Sequence, residues 1–415
     1  MGIGADRPVV CLSDDHEQDA APWLTDLAAE ATAAAEAEDP VAAAGELAIR
    51  LGERIPRPGE GHTGELWEAL ATLGSVDLTV ARTVEPHLDA LAILAEAGPS
   101  PAAPAGLLGV YAAEGAGVRL TARPATGVPG DDDWLLSGSK PWCSLADRVD
   151  GFLVTAWIDD ERRALFLVDR EEVAASGGSF TVDDGDWHAR GLSRIRSTGT
   201  TFEDVPATPV GRAGWYLRRP GFAWGGMGVA AVWFGAAVAV GRRVADHARG
   251  HSPDQIALMH VGDAEAAVHR ARCVLAAAAE AVDAGRAGGP AGGRLALTVR
   301  QVVRSAAEEI LATAGHAMGP APLVAEEDHA RRVADLDLYL RQEHAERDAA
   351  ALGRAAVEVF GEDRVSVVPD LAEAIDRAAT LAERDGDPAG TTGVLVVGSV
   401  VLAAEARELL GRSKA

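Results

Sequence analysis

The spacing of hydrophobic positions changes period twice along the chain. From Pro22 an alanine-rich stretch sets Leu24, Leu27, Ala31 and Ala34 three and four residues apart, the repeat of one helix face. Pro56 and Pro58 break it, and a second stripe follows in Leu66, Leu70, Leu73, Val76 and Val80. Leu88, Leu91, Ile93 and Leu94 belong to a further helix that Gly98-Pro99 ends. Glu85 and His87, near the turn between these helices, read as exposed loop residues without a function. Between about 106 and 212 the pattern becomes strand-like, with apolar runs at 107–108, 118–120, 152–154, 165–168 and 200–202 separated by Gly, Pro and Asp clusters. From about 213 helices return. The run 227–240 is apolar on all sides, so its helix belongs at the centre of a bundle. Helices over 258–282 and 295–314 flank a Gly-rich loop at 285–293, and one more helix makes four. Past about Val357, strands at 364–368 and 393–398 alternate with helices at 370–383 and 402–410, a βαβα order that predicts a right-handed crossover between parallel strands.

The pattern thus predicts an α+β protein in four parts. They are an N-terminal helical domain over 1–105, a β-sandwich or barrel domain over 106–212, a C-terminal four-helix bundle over 213–357 and a small βαβα tail over 358–415. A length of 415 residues, 48% hydrophobic and 24% charged, suits several globular domains. The formal net charge of −25 opposes nucleic acid and anionic membrane as partners, while local Arg groups or helix N-termini still admit an anionic cofactor. Cys11, Cys143 and Cys273 are too few and too far apart for a disulfide framework or a zinc site. No N-terminal signal pattern appears, and the apolar run 228–241 is too short to span a bilayer, which leaves the cytoplasm as the default location.

Chemistry concentrates around Ser137-Gly138-Ser139-Lys140-Pro141-Trp142-Cys143-Ser144. Gly138 marks a tight turn after the apolar Trp134-Leu135-Leu136. If the segment is extended, Trp142 and Ser144 share a face, since side chains alternate with a period of two. An aromatic plane beside a hydroxyl suits a flat heterocycle; a core tryptophan with a turn-capping serine accounts for the same residues without a ligand.

The run Gly-x-Lys-x-Trp-x-Ser, with a strand ten residues later, resembles the acyl-CoA dehydrogenase family, and the similarity extends with gaps from about residue 60 to about residue 357. The resemblance implies a FAD-dependent oxidoreductase of that fold, with Trp142 against the flavin and Ser144 at its N5 edge. Ala113-Glu114-Gly115-Ala116-Gly117 resembles the family's Glu-Pro-Gly-Ala-Gly loop without its Pro, which makes Ala112 a flavin-contacting position, and Val118-Arg119 replaces the family's following Ser-Asp. The stretch from Arg190-Gly191-Leu192 to Val205-Pro206 resembles the segment that closes the β domain. Arg249 matches by spacing an Arg that reaches the cofactor diphosphate, commonly from a neighbouring subunit; a solvated helix end is the other reading of it. Gly315 to Gly319 stands where the family has a glycine-rich loop.

A helix over 334–354 carries Leu336, Tyr339 and Leu340 on its apolar stripe, and the next position of that stripe is Glu343. A buried carboxylate is either salt-bridged or raised in pKa towards the range of a general base. Aligned with the family, Glu343 falls at the catalytic base, with Gln342 and His344-Ala345 in place of the usual Tyr and Gly-Thr; His344 is an alternative base. The implied reaction is α,β-dehydrogenation of an acyl thioester. Electrons would leave to an electron-transfer flavoprotein or another acceptor, and the chain would form a homodimer or homotetramer. A flavin monooxygenase or nitroalkane-type oxidase of the same fold is the alternative, and a catalytically silent homologue is a third reading. The tail segments 359–365 and 393–399 resemble the extreme C-terminus of folylpolyglutamate synthases, yet the chain has no phosphate-binding GxxxxGK[ST] loop.

Overall fold

In the computed structural model, which describes residues 8–13 and 21–343 except 100, 127–132, 186 and 251, together with a few positions between 348 and 380, the alanine-rich opening is two helices. They are α1 (Pro22–Ala35) and α2 (Pro40–Gly52). Asp39 separates them by capping α2, its carboxylate accepting from Ala42 N–H at 3.1 Å. The stripe from Leu66 to Val80 is likewise divided at an aspartate. Helix α3 (Thr63–Val76) ends where Asp77 caps α4 (Leu78–Ala97), accepting from Thr79 N–H and Val80 N–H at 2.7 and 3.2 Å.

That boundary corrects the reading of Glu85 and His87. Both lie inside α4 and both are buried, because the helix runs through Pro86 instead of ending there. Proline removes one backbone donor, which a 20-residue helix packed on several sides can lose without breaking. His87 Nδ1 accepts a hydrogen bond from Leu108 N–H at 3.1 Å, and burial pushes its pKa down to about 4. The neutral ring therefore fastens α4 to the first strand.

Seven strands follow: β1 (Leu108–Tyr111), β2 (Leu120–Pro124), β3 (Trp134–Ser144), β4 (Gly151–Trp157), β5 (Arg163–Asp169), β6 (Ser179–Val182) and β7 (Ser197–Val210), with the short helix α5 (Arg170–Ser176) after β5. The sheet runs β1-β4-β2-β3-β7-β5, and β5 also pairs with β4, so the ring closes as a barrel. Closure removes the free edges that an open sheet would expose. Gly138 does not turn the chain. It lies within β3, at a register shift against β7, where its α-carbon meets the Arg119 carbonyl of the loop entering β2.

The remaining helices are α6 (Pro220–Arg249), α7 (Gln255–Asp283), α8 (Gly289–Met318), the short α9 (Ala321–Ala325) and α10 (Glu327–Leu340). Helix α6 is the central one, as its all-round apolarity predicts. The expectation that this run is too short to span a bilayer is corrected. The helix extends beyond 228–241 at both ends to 30 residues and is long and apolar enough to cross a membrane, yet 67% of its most apolar window is buried inside the protein. Helices α3 and α6 touch backbone to backbone. A Cβ on Gly235 would stand 1.8 Å from Ala71 O, and one on Gly74 would stand 2.3 Å from Val232 O.

The chain divides into two compact units, Met1–Asp348 and Ala349–Ala415. The tail's predicted strands at 364–368 and 393–398 and its helix at 402–410 lie outside the described residues; of the predicted helix at 370–383, residues 376–378 and 380 are described and are helical.

Gly235→Ala should lower stability by about 2–3 kcal/mol through overpacking of the α3–α6 contact. Thermal unfolding of the two proteins side by side measures it, and an unchanged midpoint would show that the helices can separate freely.

Candidate functional site

The motif Gly-x-Lys-x-Trp-x-Ser occupies the second half of β3. A second register shift between Lys140 and Cys143 puts a bulge there, and Trp142 takes a left-handed backbone at φ 59°. That conformation is strained for a bulky residue and persists only where its surroundings enforce it. The indole is 62% exposed, whereas Trp67 and Trp233 are wholly buried. Cys143 between them is buried and Ser144 is half-buried, while the backbone at Trp142 is not extended, so the alternation of an extended strand does not apply there.

Ser144 faces Ser197 across the ladder, their hydroxyls 2.7 Å apart, and its main-chain carbonyl accepts from Tyr111 Oη at 3.0 Å. The Lys of the motif is structural. Lys140 is 1% exposed and its Nζ donates to Glu114 at 2.6 Å and to Thr155 at 2.8 Å. Glu114 also accepts from Trp157 Nε1 at 3.0 Å and lies 3.0 Å from Arg163. The two sequence motifs are therefore joined by the pair of a buried Lys140 and a more exposed Glu114, which ties the loop after Ala112 to β3. Gly115 packs on Pro141 there, leaving 3.1 Å for a Cβ.

From the helical side, Arg82 reaches Ser144. Its Nη2 donates to Ser144 Oγ at 3.2 Å, its Nη1 lies 3.6 Å from Glu85, and its guanidinium stands 5.7 Å from the centre of the Tyr339 ring. Burial, opposed only in part by Arg82, pushes Glu85 up to about 7. Glu85 also lines a narrow slot of about 40 Å³ with Trp67, Leu70, Asp89, Trp224 and Gly228, room for a water or two. Neither Arg82 nor Glu85 was assigned a role from sequence. The usable signal was their spacing of three residues on a helix that Asp77 begins, and it was lost once the segment was read as a turn.

Glu343 is buried, as its stripe predicts, but it is not on a helix. Helix α10 stops at Leu340 and Glu343 closes the turn that follows, its carboxylate 2.6 Å from Arg304 Nε of α8. One turn earlier on α8, Arg300 donates to Gly226 O at 3.0 Å and to Gln342 O at 3.2 Å and lies over the Trp233 ring at 4.7 Å. Two arginines of one helix thus hold the turn that carries Glu343. His344, the alternative base, lies outside the described residues.

The β domain is docked on α10 by the Arg190-Gly191-Leu192 segment. Asp335 accepts from Leu192 N–H at 2.5 Å, and a Cβ on Gly191 would stand 1.9 Å from Ala334 O. Trp142 and Ser144 are on β3, and Ala112, which follows β1, packs with Val110 and Trp215 against a second core cluster. Arg249 does not join them within one chain. It ends α6, sixteen residues past Trp233 and so on the order of 24 Å along the axis, where it pairs with Asp246.

No protein-family model matches the chain. A curated dihydrofolate synthase/folylpolyglutamate synthase from Mycobacterium tuberculosis is 47% identical over 72 residues, and the chain spans about 15% of that protein's length. Solved structures match far more of it. KijD3, in complex with FMN and dTDP-3-amino-2,3,6-trideoxy-4-keto-3-methyl-D-glucose, is 20% identical with a TM-score of 0.65, over 83% of this chain and 94% of that one. TdsC from Paenibacillus sp. A11-2, bound to FMN and indole, is 18% identical with a TM-score of 0.65, over 81% and 96%. A steroid ACAD variant, Tcur3481-Tcur3483, is 21% identical with a TM-score of 0.63, over 81% and 98%.

The chain has an acyl-CoA dehydrogenase-like fold. For the ring of a flavin, the residues present fit. An exposed indole on a strained bulge stands two residues before a serine hydroxyl that a guanidinium contacts. Tyr339 Oη and Trp233 Nε1 are buried without a hydrogen-bond partner among the described residues.

Glu85 makes stability depend on pH. Its folded pKa is about 7 against an ordinary value of 4.5, so the folded state holds the proton more tightly. Its contribution is complete below pH 4.5 and is lost as pH rises through 7. At about 1.4 kcal/mol per unit, the protein should lose about 3 kcal/mol relative to Glu85→Gln between pH 4.5 and 8. Denaturant titrations of both proteins at the two pH values check the sign.

Proposed function

We propose that this chain is a flavin-dependent oxidoreductase, with the flavin ring against Trp142 and its N5 edge at Ser144. The observation that carries the reading is the 62%-exposed indole, held at φ 59° two residues before a serine that Ser197 and Arg82 orient. A bound flavin would supply the two-electron acceptor. The chain's own residues would do the rest. Trp142 offers a stacking plane, Ser144 a hydrogen bond whose direction two neighbours fix, and Arg82 a positive charge at the same edge. The loop after Ala112, anchored through Glu114 and Lys140, would bring main chain close to the ring. Arg249 would serve the phosphate end in a homo-oligomer, from the neighbouring subunit. FAD follows from the sequence resemblance, while two of the similar structures hold FMN.

For the reaction, α,β-dehydrogenation of an acyl thioester assigns Glu343 as the base that takes the α proton. Glu343 would first have to leave Arg304, and uncoupling a buried ion pair costs about 3–5 kcal/mol. That pairing favours a second reading in which no carboxylate abstracts a carbon-bound proton: a flavin monooxygenase, the activity named for TdsC.

The purified protein should take up FAD or FMN with a flavin's visible absorbance, and Trp142→Ala should weaken binding at least tenfold. A colourless protein that takes up neither supports the silent homologue. Anaerobic bleaching by an acyl-CoA, abolished in Glu343→Gln, would establish the dehydrogenase. Oxygen consumption only after reduction by an external reductase would establish the oxygenase.

A further inference from the structure

Helix α4 carries a row of charges that starts at Ser144 and runs along one of its faces. Arg82 reaches Ser144 Oγ at 3.2 Å, Glu85 stands one turn on at 3.6 Å from Arg82, and Asp89 follows after a further turn, 3.6 Å from Arg219. Arg219 is answered more closely by Glu96, which accepts from it at 2.8 Å. At 3.6 Å Arg82 and Glu85 attract each other without a hydrogen bond. Glu85 also borders the slot that Asp89, Trp67 and Trp224 line. That slot joins the surface to the interior, since Arg57 among its lining residues is exposed while Glu85 is 8% exposed. Its volume of about 40 Å³ is room for a water or two, and two carboxyl groups supply the polar partners that a water needs. Gly225 keeps it open from the α6 side, where a Cβ would stand 2.9 Å from Asp89 Oδ1. Glu85 is thus a buried acid with a path for protons to solvent.

We propose that Glu85 sets the charge that Arg82 presents at Ser144, by exchanging a proton with water in this slot. Glu85 is a positioning residue, since it acts at Ser144 only through Arg82. Protonated, it leaves the guanidinium wholly positive; ionised, it offsets part of that charge. The inference deepens the flavin reading and rests on it for the ligand that feels the charge, whereas the proton exchange itself needs no flavin. Burial pushes Glu85 up to about 7, so the change falls in the neutral range. Facing Glu85 are Arg82 and Asp89 of α4, Arg300 of α8, Tyr339 of α10 and Tyr216 of the segment before α6. The two arginines favour its ionised form and Asp89 opposes it. A bound ring that becomes more negative on reduction would make Glu85 hold its proton more tightly, because like charges disfavour ionisation.

Infrared difference spectra of flavin-free, full-length protein between pH 5 and pH 9 follow the proton directly. The C=O band of a protonated carboxyl should fade with a midpoint near pH 7, and Glu85→Gln should lack that transition. Arg82→Gln should move the midpoint up by about one pH unit or more, while Arg82→Lys should leave it close to the wild-type value. Circular dichroism checks folding, and if Arg82→Gln unfolds, Arg82→Met takes its place. With flavin bound, the reduction potential is measured against pH with dithionite as reductant and a reference dye. It should fall more steeply in the wild type than in Glu85→Gln; the two proteins should agree at pH 5.5, and Glu85→Gln should lie higher at pH 8. A missing Glu85 transition, an unmoved midpoint in the folded Arg82 variant, or potentials that run parallel with pH overturns the proposal. Failure to take up a flavin overturns the reading above, and the infrared titrations then decide this one by themselves.

Discussion

The placement of Arg82 and Glu85 depends on how closely α3 approaches α6. Gly74 and Gly235 let the two backbones touch, with less than 2.5 Å available to a Cβ on either glycine. A side chain at either position would push the N-terminal helices off the bundle. Because α4 follows α3 after a single residue, Asp77, such a shift would carry Arg82 and Glu85 with it. Asp77 adds a second tie, since its carboxylate caps α4 and pairs with Arg331 of α10 at 3.2 Å. The position of Arg82 and Glu85 is thus set by contacts that involve neither of them.

The barrel side is fixed by different means. A single buried lysine, Lys140, links the loop after Ala112 to the strand that carries Trp142, and its charge is answered by Glu114. Gly191 and Asp335 then join the barrel to α10 by close approach and one short hydrogen bond. Removing Glu114 would leave the buried Lys140 ammonium with only the Thr155 hydroxyl among the described residues, a larger loss than the pair's own net contribution. Both motifs therefore read as positioning devices, with Trp142 and Ser144 as the groups they present.

Between these two walls the protein keeps an electrostatically costly interior. Glu85 is held near the middle of its titration at neutral pH, and Tyr339 Oη and Trp233 Nε1 are buried without partners. Conformational stability alone would select apolar side chains at such positions. Retaining them where barrel and helices meet is consistent with a site that pays in stability for polarity, as functional sites commonly do.

The order of elements was legible in the sequence because it rests on periodicity. The helical opening, the strand-rich middle and the all-apolar α6 follow from residue spacing alone, and so does the burial of Glu343. Local breaks were not legible. Pro86 and Gly138 look like punctuation but lie inside α4 and β3, since neighbouring packing outweighs a missing donor or side chain. What only the tertiary structure decided is which charges meet. Arg82 and Ser144 are 62 residues apart and Glu343 and Arg304 are 39, and no spacing rule joins such pairs. Hydrophobic period is a property of each element by itself, whereas the partner of a buried charge is set by how the elements pack.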